Sequence, residues 1–312
     1  MYDIIGDIHG CVKTLQALLL TLGYKKITDD WQHPEGRKVI FVGDFVDRAV
    51  YQRETVELAK TMVESGNALA VMGNHEFNAI AYHTQHPDVQ GEYLRPHSEK
   101  NAQQHRAFLA AYSDDAEAKE AAIAWFKTLP LFLELDDFRV VHACWDEAAM
   151  AVIAPLLGVN HTLTDELLLK STCEGAAEFE AVEILLKGKE LLLPNNVSFL
   201  DKDGNSRRHI RTKWWGTEAV PTYRSLYMGP PLVEALPDET VAVEQLVRYD
   251  DDAKPVFIGH YWLTGEPKPL ASNIVCVDYS VAKPAGHLVA YRFDDDVMID
   301  QKHFVRQCRL ES

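Results

Sequence analysis

The sequence predicts an α/β fold built around parallel strands, and three observations carry that reading. Strand and helix patterns alternate through the first 80 residues, which implies parallel pairing with helices on the sheet faces. Each early strand pattern ends in a glycine and a polar residue, and sites in such sheets form where loops diverge at the carboxyl ends of strands. Strand patterns return late in the chain, after residue 255.

Taken in order, Tyr2 to Gly6 is a short buried strand. Val12, Leu15, Leu18, Leu19 and Leu22 then fall at helical spacing, which predicts a helix over 12–22. KVIFVGD (38–44) is a second buried strand, and Val56, Ala59, Met62 and Val63 mark one face of the next helix. ALAVMGN (68–74) is a third strand. Residues 100 to 128 are helical, with Phe108, Leu109, Tyr112, Ile123, Trp125 and Phe126 available for burial, and Pro130 stops the run. LFLEL (131–135) and FRVVHA (138–143) make two strands around an Asp136-Asp137 turn. From about 144 to 235 the pattern changes to helices near 163–170 and 176–187. A turn-rich stretch follows, with Asn195-Asn196, Asp203-Gly204 and Gly229-Pro230-Pro231. This is read as an elaboration within one 1–312 domain. PVFIGH (255–260), NIVCVDY (273–279) and HLVAYRF (287–293) complete the strands.

Bulk composition excludes several functions. The chain carries 31 basic and 47 acidic residues, a formal net charge of -16, so polynucleotide binding and an anionic membrane surface are not expected. No apolar run approaches the roughly 20 residues of a membrane span. The first strand begins at residue 2, which leaves no room for a cleaved signal peptide. The five cysteines, at 11, 144, 173, 276 and 308, form no C-x-x-C pair. Reduced thiols and a cytoplasmic location are expected.

Seven polar residues follow five apolar segments: Asp7 with His9, Asp44, Asn74 with His75, His142 and His260. Singly, each would be a turn, a cap or a hydrogen-bonded histidine. Together at strand ends, they point to a metal centre. Carboxylate, imidazole and amide ligands suit Mn²⁺, Fe²⁺ or Zn²⁺, and two such ions about 3.5–4 Å apart can share a bridging carboxylate. Asp44 is the candidate bridge. Two dications outweigh Asp7 and Asp44, and Arg48 adds to the positive field, so a phosphate dianion is drawn in despite the acidic exterior.

GDIHG (6–10), GDFVDR (43–48), GNHE (73–76), the histidine of VVHA (140–143) and the GH of FIGH (257–260) resemble the calcineurin-like metallophosphoesterases. Within these they are similar to the phosphoprotein-phosphatase branch, which includes symmetrical diadenosine tetraphosphatases. Order and approximate spacing match across residues 2 to 293, apart from the variable 144–235 stretch. The resemblance implies a β-sandwich flanked by helices, with the metals at its edge. Asp7, His9 and Asp44 would hold one metal, and Asp44, Asn74, His142 and His260 the other. His75 would protonate the leaving oxygen, Asp47 would orient and charge it, and Arg48 would grip phosphate oxygens. The implied reaction is in-line attack by metal-bound hydroxide, with Mn²⁺ the leading metal and Fe or Zn alternatives.

The chain departs from the family pattern at Ala49, Cys144 and Tyr279, without losing a ligand. Cys11 and Cys144 sit near predicted ligands but are read as small packed residues. DKDG (201–204) lacks the later ligands of a calcium loop and is read as a turn. In RRHIRTKWW (207–215), Arg211 is a candidate second phosphate contact, set against a solvated strand carrying a buried tryptophan. His83, His86, His97 and His105 fit no standard metal spacing and are read as surface histidines.

The sequence therefore leads to a dinuclear-metal phosphatase acting on phosphomonoesters, plausibly phosphoserine or phosphothreonine. Glu76 and Asp47 favour this over diadenosine tetraphosphate cleavage, whose enzymes tend to carry Asp and a small residue at those places. In that alternative, the tryptophan cluster would stack adenine. A catalytically silent module binding a phosphorylated partner is the reading from another class, and its expected mark, a lost ligand or acid, is absent.

Overall fold

A computed structural model describes residues 1–200, 206–216, 218, 220–229, 236–294 and 298–311. The DKDG turn and Pro230-Pro231 lie outside the described residues.

Strand β1 (Tyr2–Ile5) leads into helix α1 (Val12–Leu22), which buries Leu15, Leu18, Leu19 and Leu22 and stops at Gly23, φ 98°. No side chain of its own caps α1. Glu311, from the far end of the chain, accepts from the Lys13 and Thr14 amides at 2.6 and 3.1 Å. Next come β2 (Lys38–Phe41), α2 (Gln52–Glu64), β3 (Ala68–Ala70) and α3 (Asn74–His83). The helical stretch near 100–128 is three helices rather than one: α4 (Glu99–Gln104), α5 (Arg106–Ala111) and α6 (Ala116–Lys127). The breaks fall at His105 and before Asp115, whose side chain accepts from the Ala118 amide and starts α6 afresh. Strands β4 (Phe132–Glu134) and β5 (Arg139–Val141) form the expected hairpin.

Helices α7 (Glu147–Ile153), α8 (Asp165–Ser171) and α9 (Ala177–Lys187) follow, the first unmarked by the sequence reading. Leu167, Leu168, Val182, Leu185 and Leu186 join the same apolar cluster as α1. Beyond α9, two short strand pairs, Glu190–Leu192 with His209–Arg211 and Phe199–Leu200 with Ser206–Arg207, enclose a smaller cluster around Leu193, Ile210 and Tyr223. The chain returns through β6 (Val256–Ile258), β7 (Ile274–Cys276), β8 (Asp278–Tyr279), β9 (His287–Phe293) and β10 (Phe304–Cys308).

These strands make two sheets. One runs β8-β9-β1-β2-β3, with β10 paired to His287–Tyr291 of β9, and the other β7-β6-β5-β4. The early strands β1, β2 and β3 are parallel, as the alternation predicts, and antiparallel β9 extends that sheet. Side chains alternate by two along each strand, so Ile4 and Ile40 enter the space between the sheets while Ile5, Val39 and Phe41 face the helices. Phe138, Val140, Phe257, Val275, Tyr291 and Phe293 fill the same inter-sheet layer. The arrangement is a β-sandwich with helices outside. The carboxyl ends of β1, β2, β3, β5 and β6 come together at one edge, which carries the ligand candidates.

Candidate metal centre

Asp44 sits at the centre of the edge. His9 Nε2, His142 Nε2 and His75 Nε2 lie 3.6, 3.5 and 3.9 Å from its Oδ2, and its Oδ1 accepts from the His75 amide at 2.9 Å. Asn74 Oδ1 lies 3.2 Å from His142 Nε2 and 2.8 Å from His260 Nδ1. Asp7 accepts from the His260 amide at 3.1 Å. Residues from five loops, up to 253 positions apart, thus converge on one point. Asp7, His9, Asp44, Asn74, His142 and His260 are all buried.

The imidazoles are aimed by their outer nitrogens. His9 Nδ1 and His142 Nδ1 donate to the Val46 and Val42 carbonyls at 2.8 and 2.7 Å, which leaves each Nε2 facing Asp44. Burial, with His75 beside it, pushes His9 down to about 4, and burial with Arg211 nearby pushes His260 well down. Both rings are therefore neutral at pH 7 and present a lone pair. Burial pushes Asp7 well up, helped by Asp278 and Asp44. For Asp44, burial pushes upward, but the surrounding imidazoles of His142, His75 and His9 outweigh it and hold the carboxyl well below its usual range.

Strained backbone concentrates here. His9, Asp44, Asp47, Arg48 and His260 take φ of 50°, 55°, 66°, 76° and 69°, a left-handed region that costs a non-glycine residue on the order of 1–3 kcal/mol. The sequence pattern also demands close approach at two glycines. A Cβ on Gly73 would lie 2.3 Å from Asp44 Oδ1, and one on Gly259 would lie 2.1 Å from Asp7 Oδ1. Ala49 needs no glycine, because the left-handed turn falls on Asp47 and Arg48 instead.

Glu76 holds the frame. Fully buried, it accepts from the Asp44, Phe45 and Gly73 amides at 2.8, 2.8 and 3.0 Å. Its side chain is committed to the loops that carry Asp44 and Asn74. Glu76→Gln replaces an acceptor oxygen by a donor against these amides. It is expected to cost about 1–3 kcal/mol, read as a lower urea midpoint of metal-free protein with an unchanged slope.

The pocket fits divalent cations. Among the described residues, His9 Nε2 and His260 Nε2 are buried with no hydrogen-bond partner, an arrangement that a ligand atom explains. Two groups, His9-Asp44-His75 and Asp44-His142-His260, each place potential ligand atoms within 4.8 Å of one another and share Asp44. In the first group His75 is already engaged through its other nitrogen. Its Nδ1 lies 2.5 Å from Asp47 Oδ2.

At the rim, exposed Arg48 lies over the Trp262 ring, 5.3 Å from its centroid. Trp262 stacks on His9 with centroids 5.3 Å apart, and Lys283 Nζ lies 4.9 Å from the same indole. Asp278 accepts from the Trp262 amide at 2.6 Å and fixes that turn. A cavity of about 930 Å³ opens beside it, lined by Arg48, Arg211, Lys213, Tyr261, Trp262 and Lys283 among others. Arg211 therefore shares a cavity with Arg48, and among the described residues its Nε is buried without a partner.

Three expectations are corrected. His105 is no surface histidine: it is 4% exposed, and its Nδ1 lies 2.9 Å from Asp47 Oδ1. The pairing is invisible in sequence because 58 residues separate the two. His83 and His86 are half-buried, and His97, though exposed, stacks on Tyr82 with centroids 3.9 Å apart. Trp214 cannot stack a base. It is buried, with Nε1 donating to the Ala143 carbonyl and Tyr261 hydroxyl at 3.1 and 3.0 Å. Trp262 is the indole at the cavity, and its signal was adjacency to His260 in GHYW. Cys11 and Cys144 are fully buried, and burial pushes the first thiol up to about 12 and the second well up, so both pack rather than react.

A family model described as calcineurin-like phosphoesterase matches residues 2–260. The chain is 34% identical over 141 residues to the asymmetrical bis(5'-nucleosyl)-tetraphosphatase PrpE of Geobacillus sp. (strain WCH70), covering 45% of this chain and 55% of that protein. It is 43% identical over 74 residues to the corresponding protein of Halalkalibacterium halodurans, covering 24% of this chain and 30% of the other. The chain thus spans about half, or less, of the length of these curated relatives. A serine/threonine phosphatase from Saccharomyces cerevisiae aligns with 100% of this chain and 80% of its own, at 15% identity and a TM-score of 0.53, a likeness of fold.

Proposed function

The chain belongs to the calcineurin-like phosphoesterase family, and from that premise we propose that it is a metal-dependent hydrolase of phosphomonoesters with poor leaving groups, such as phosphoserine or phosphothreonine. The observation that carries this choice is the His75-Asp47 pair beside the ligand cluster, with ring nitrogen and carboxylate oxygen 2.5 Å apart. A proton donor at that point matters most when the departing oxygen is strongly basic.

In this reading Asp7, His9 and Asp44 hold one cation, and Asp44, Asn74, His142 and His260 hold the other. Bound there, two divalent ions supply an acidified water and neutralise phosphoryl charge. The nitrogen and oxygen donor set suits Mn²⁺, and also Fe or Zn. Arg48, exposed at the rim, binds phosphoryl oxygens with its planar fork and holds the ester in line. His75 keeps a proton on Nε2 for the leaving oxygen. Burial lowers His75, but Asp44 and Asp47 outweigh it and raise its pKa, which favours the protonated form. Asp47 stays ionised: burial pushes it up, but His105 and His75 together hold it well below the carboxylate range. The five unpaired cysteines suit a reducing compartment, and we place the protein in the cytoplasm. Among the described residues no helix is long and apolar enough to cross a membrane.

A second reading is favoured by one observation. The basic cavity walled by Arg48, Arg211, Lys213 and Lys283, with Trp262 on its side, could take several phosphates and a stacked base. Diadenosine tetraphosphate is the corresponding substrate. Phosphate release from a phosphoserine peptide, p-nitrophenyl phosphate and diadenosine tetraphosphate, with Mn²⁺ supplied, separates the readings. The first expects turnover of the peptide and aryl ester. Clean production of two ADP with little monoesterase turnover would replace it with the second. Two bound metals without turnover on any phosphoester would instead indicate a binding module.

A further inference from the structure

We propose that His105 is a positioning residue for the proton donor, acting through Asp47; the inference rests on the reading of His75 as that donor. Asp47 is 2% exposed, and its two oxygens are divided between two imidazoles. Oδ2 lies 2.5 Å from His75 Nδ1, and Oδ1 lies 2.9 Å from His105 Nδ1. The Asp47 backbone is fixed as well, its amide donating to Gln52 Oε1 at 2.6 Å.

The carboxylate needs that second partner. A buried Asp47 with one oxygen unpaired would be desolvated without compensation, and it could rotate about its terminal torsion away from His75. His105 occupies the free oxygen and sets the carboxylate plane. His105 is itself set by its neighbours. Its ring stacks on Phe108, with centroids 4.6 Å apart and planes 16° from parallel, and the α4–α5 break places it there. Among the described residues its Nε2 is buried without a partner, and the ring's one hydrogen-bond contact is Asp47. The other groups around it are His83, whose ring centroid is 5.5 Å away, and Tyr82, at 5.4 Å. Neither has a contact to Asp47 among those described.

The test compares His105→Ala and His105→Asn with His75→Asn and Asp47→Asn, each loaded with Mn²⁺. Metal content, thermal unfolding and kcat are measured on phenyl phosphate, a poor leaving group, and p-nitrophenyl phosphate, a good one. His105→Ala is expected to keep wild-type metal content and to lose about 10–100-fold in kcat on phenyl phosphate, with a much smaller loss on the nitrophenyl ester. His105→Asn, whose amide can donate to Asp47, should recover most of that loss. In the Asp47→Asn background His105→Ala should add little, because the two act as a unit. Equal losses on both esters, or full additivity with Asp47→Asn, would overturn the proposal while His75→Asn still showed leaving-group dependence. If His75→Asn itself lacked that dependence, the donor assignment would fall and this inference with it. Should His105→Ala not fold, His105→Phe, which keeps a ring against Phe108 but loses the donor, carries the same comparison alone and in the Asp47→Asn background.

Discussion

Replacing His75 by asparagine is expected to leave two metals bound and to lower kcat by about 100- to 10,000-fold on alkyl phosphates. The loss should shrink steadily as the leaving group becomes more acidic. His75 touches Asp44 only through its own backbone amide, at 2.9 Å, and that bond survives the substitution. Its imidazole is turned to Asp47 on one side and, on the other, stands 3.9 Å from Asp44 Oδ2. Asparagine keeps a polar group of moderate size but cannot carry the proton. A series of aryl and alkyl phosphates, with metal content measured on the same samples, reads this directly. A loss of equal size on every ester would remove His75 from the protonation step. A loss of metal would instead make it a ligand, as its place in one of the two donor groups allows.

The second large effect belongs to Asp44→Asn. The substitution is nearly isosteric, and the retained oxygen can still accept from the His75 amide, so the fold should persist. What disappears is the one negative charge common to both donor groups. Changes in residues that merely orient a ligand already cost about 10–100-fold in metal affinity, so loss of the shared charge should weaken binding by at least about 100-fold. Titration of the metal-free variant with Mn²⁺ by calorimetry, against wild type, provides the measurement. Full two-metal occupancy at wild-type affinity would mean that Asp44 is not the bridge.

Much of this candidate centre can be read along the chain because its potential ligands sit at strand ends. An apolar run followed by Gly-Asp or Gly-Asn-His marks both the strand and its terminus, and the fold has only to bring the termini together. The alternation in the first 80 residues likewise gives β1, β2 and β3 in parallel. What is hard to read is pairing across long separations. The antiparallel addition of β9 to β1 depends on 280-odd residues of intervening chain closing correctly, and alternation says nothing of it. His105 looked like one of four scattered histidines, and only its stacking on Phe108 and its contact with Asp47 single it out. In sequence Glu76 is only a pointer to substrate class, and its three amide contacts, which make it part of the scaffold, are not legible there. The helical break at Tyr112–Asp115 was hidden because the apolar spacing is similar on both sides, and the Asp115 cap decides it.

The Trp262 turn shows the same limit from the other direction. Its sequence position beside His260 is plain, but its φ of 53° and its stacking on His9 emerge only when the carboxyl ends of β1 and β6, from the two facing sheets, meet at one edge. That geometry puts an aromatic wall between the ligands and the basic cavity. It is also why both substrate readings place the phosphate next to Arg48, and differ only in what extends beyond it.

Anomalous diffraction from crystals loaded with Mn²⁺ tests the central claim most directly. Two peaks are expected per chain, about 3.5–4 Å apart, with Asp44 between them, Asp7 and His9 at one, and Asn74, His142 and His260 at the other. A single peak, or peaks away from the Asp44 carboxylate, would contradict the account.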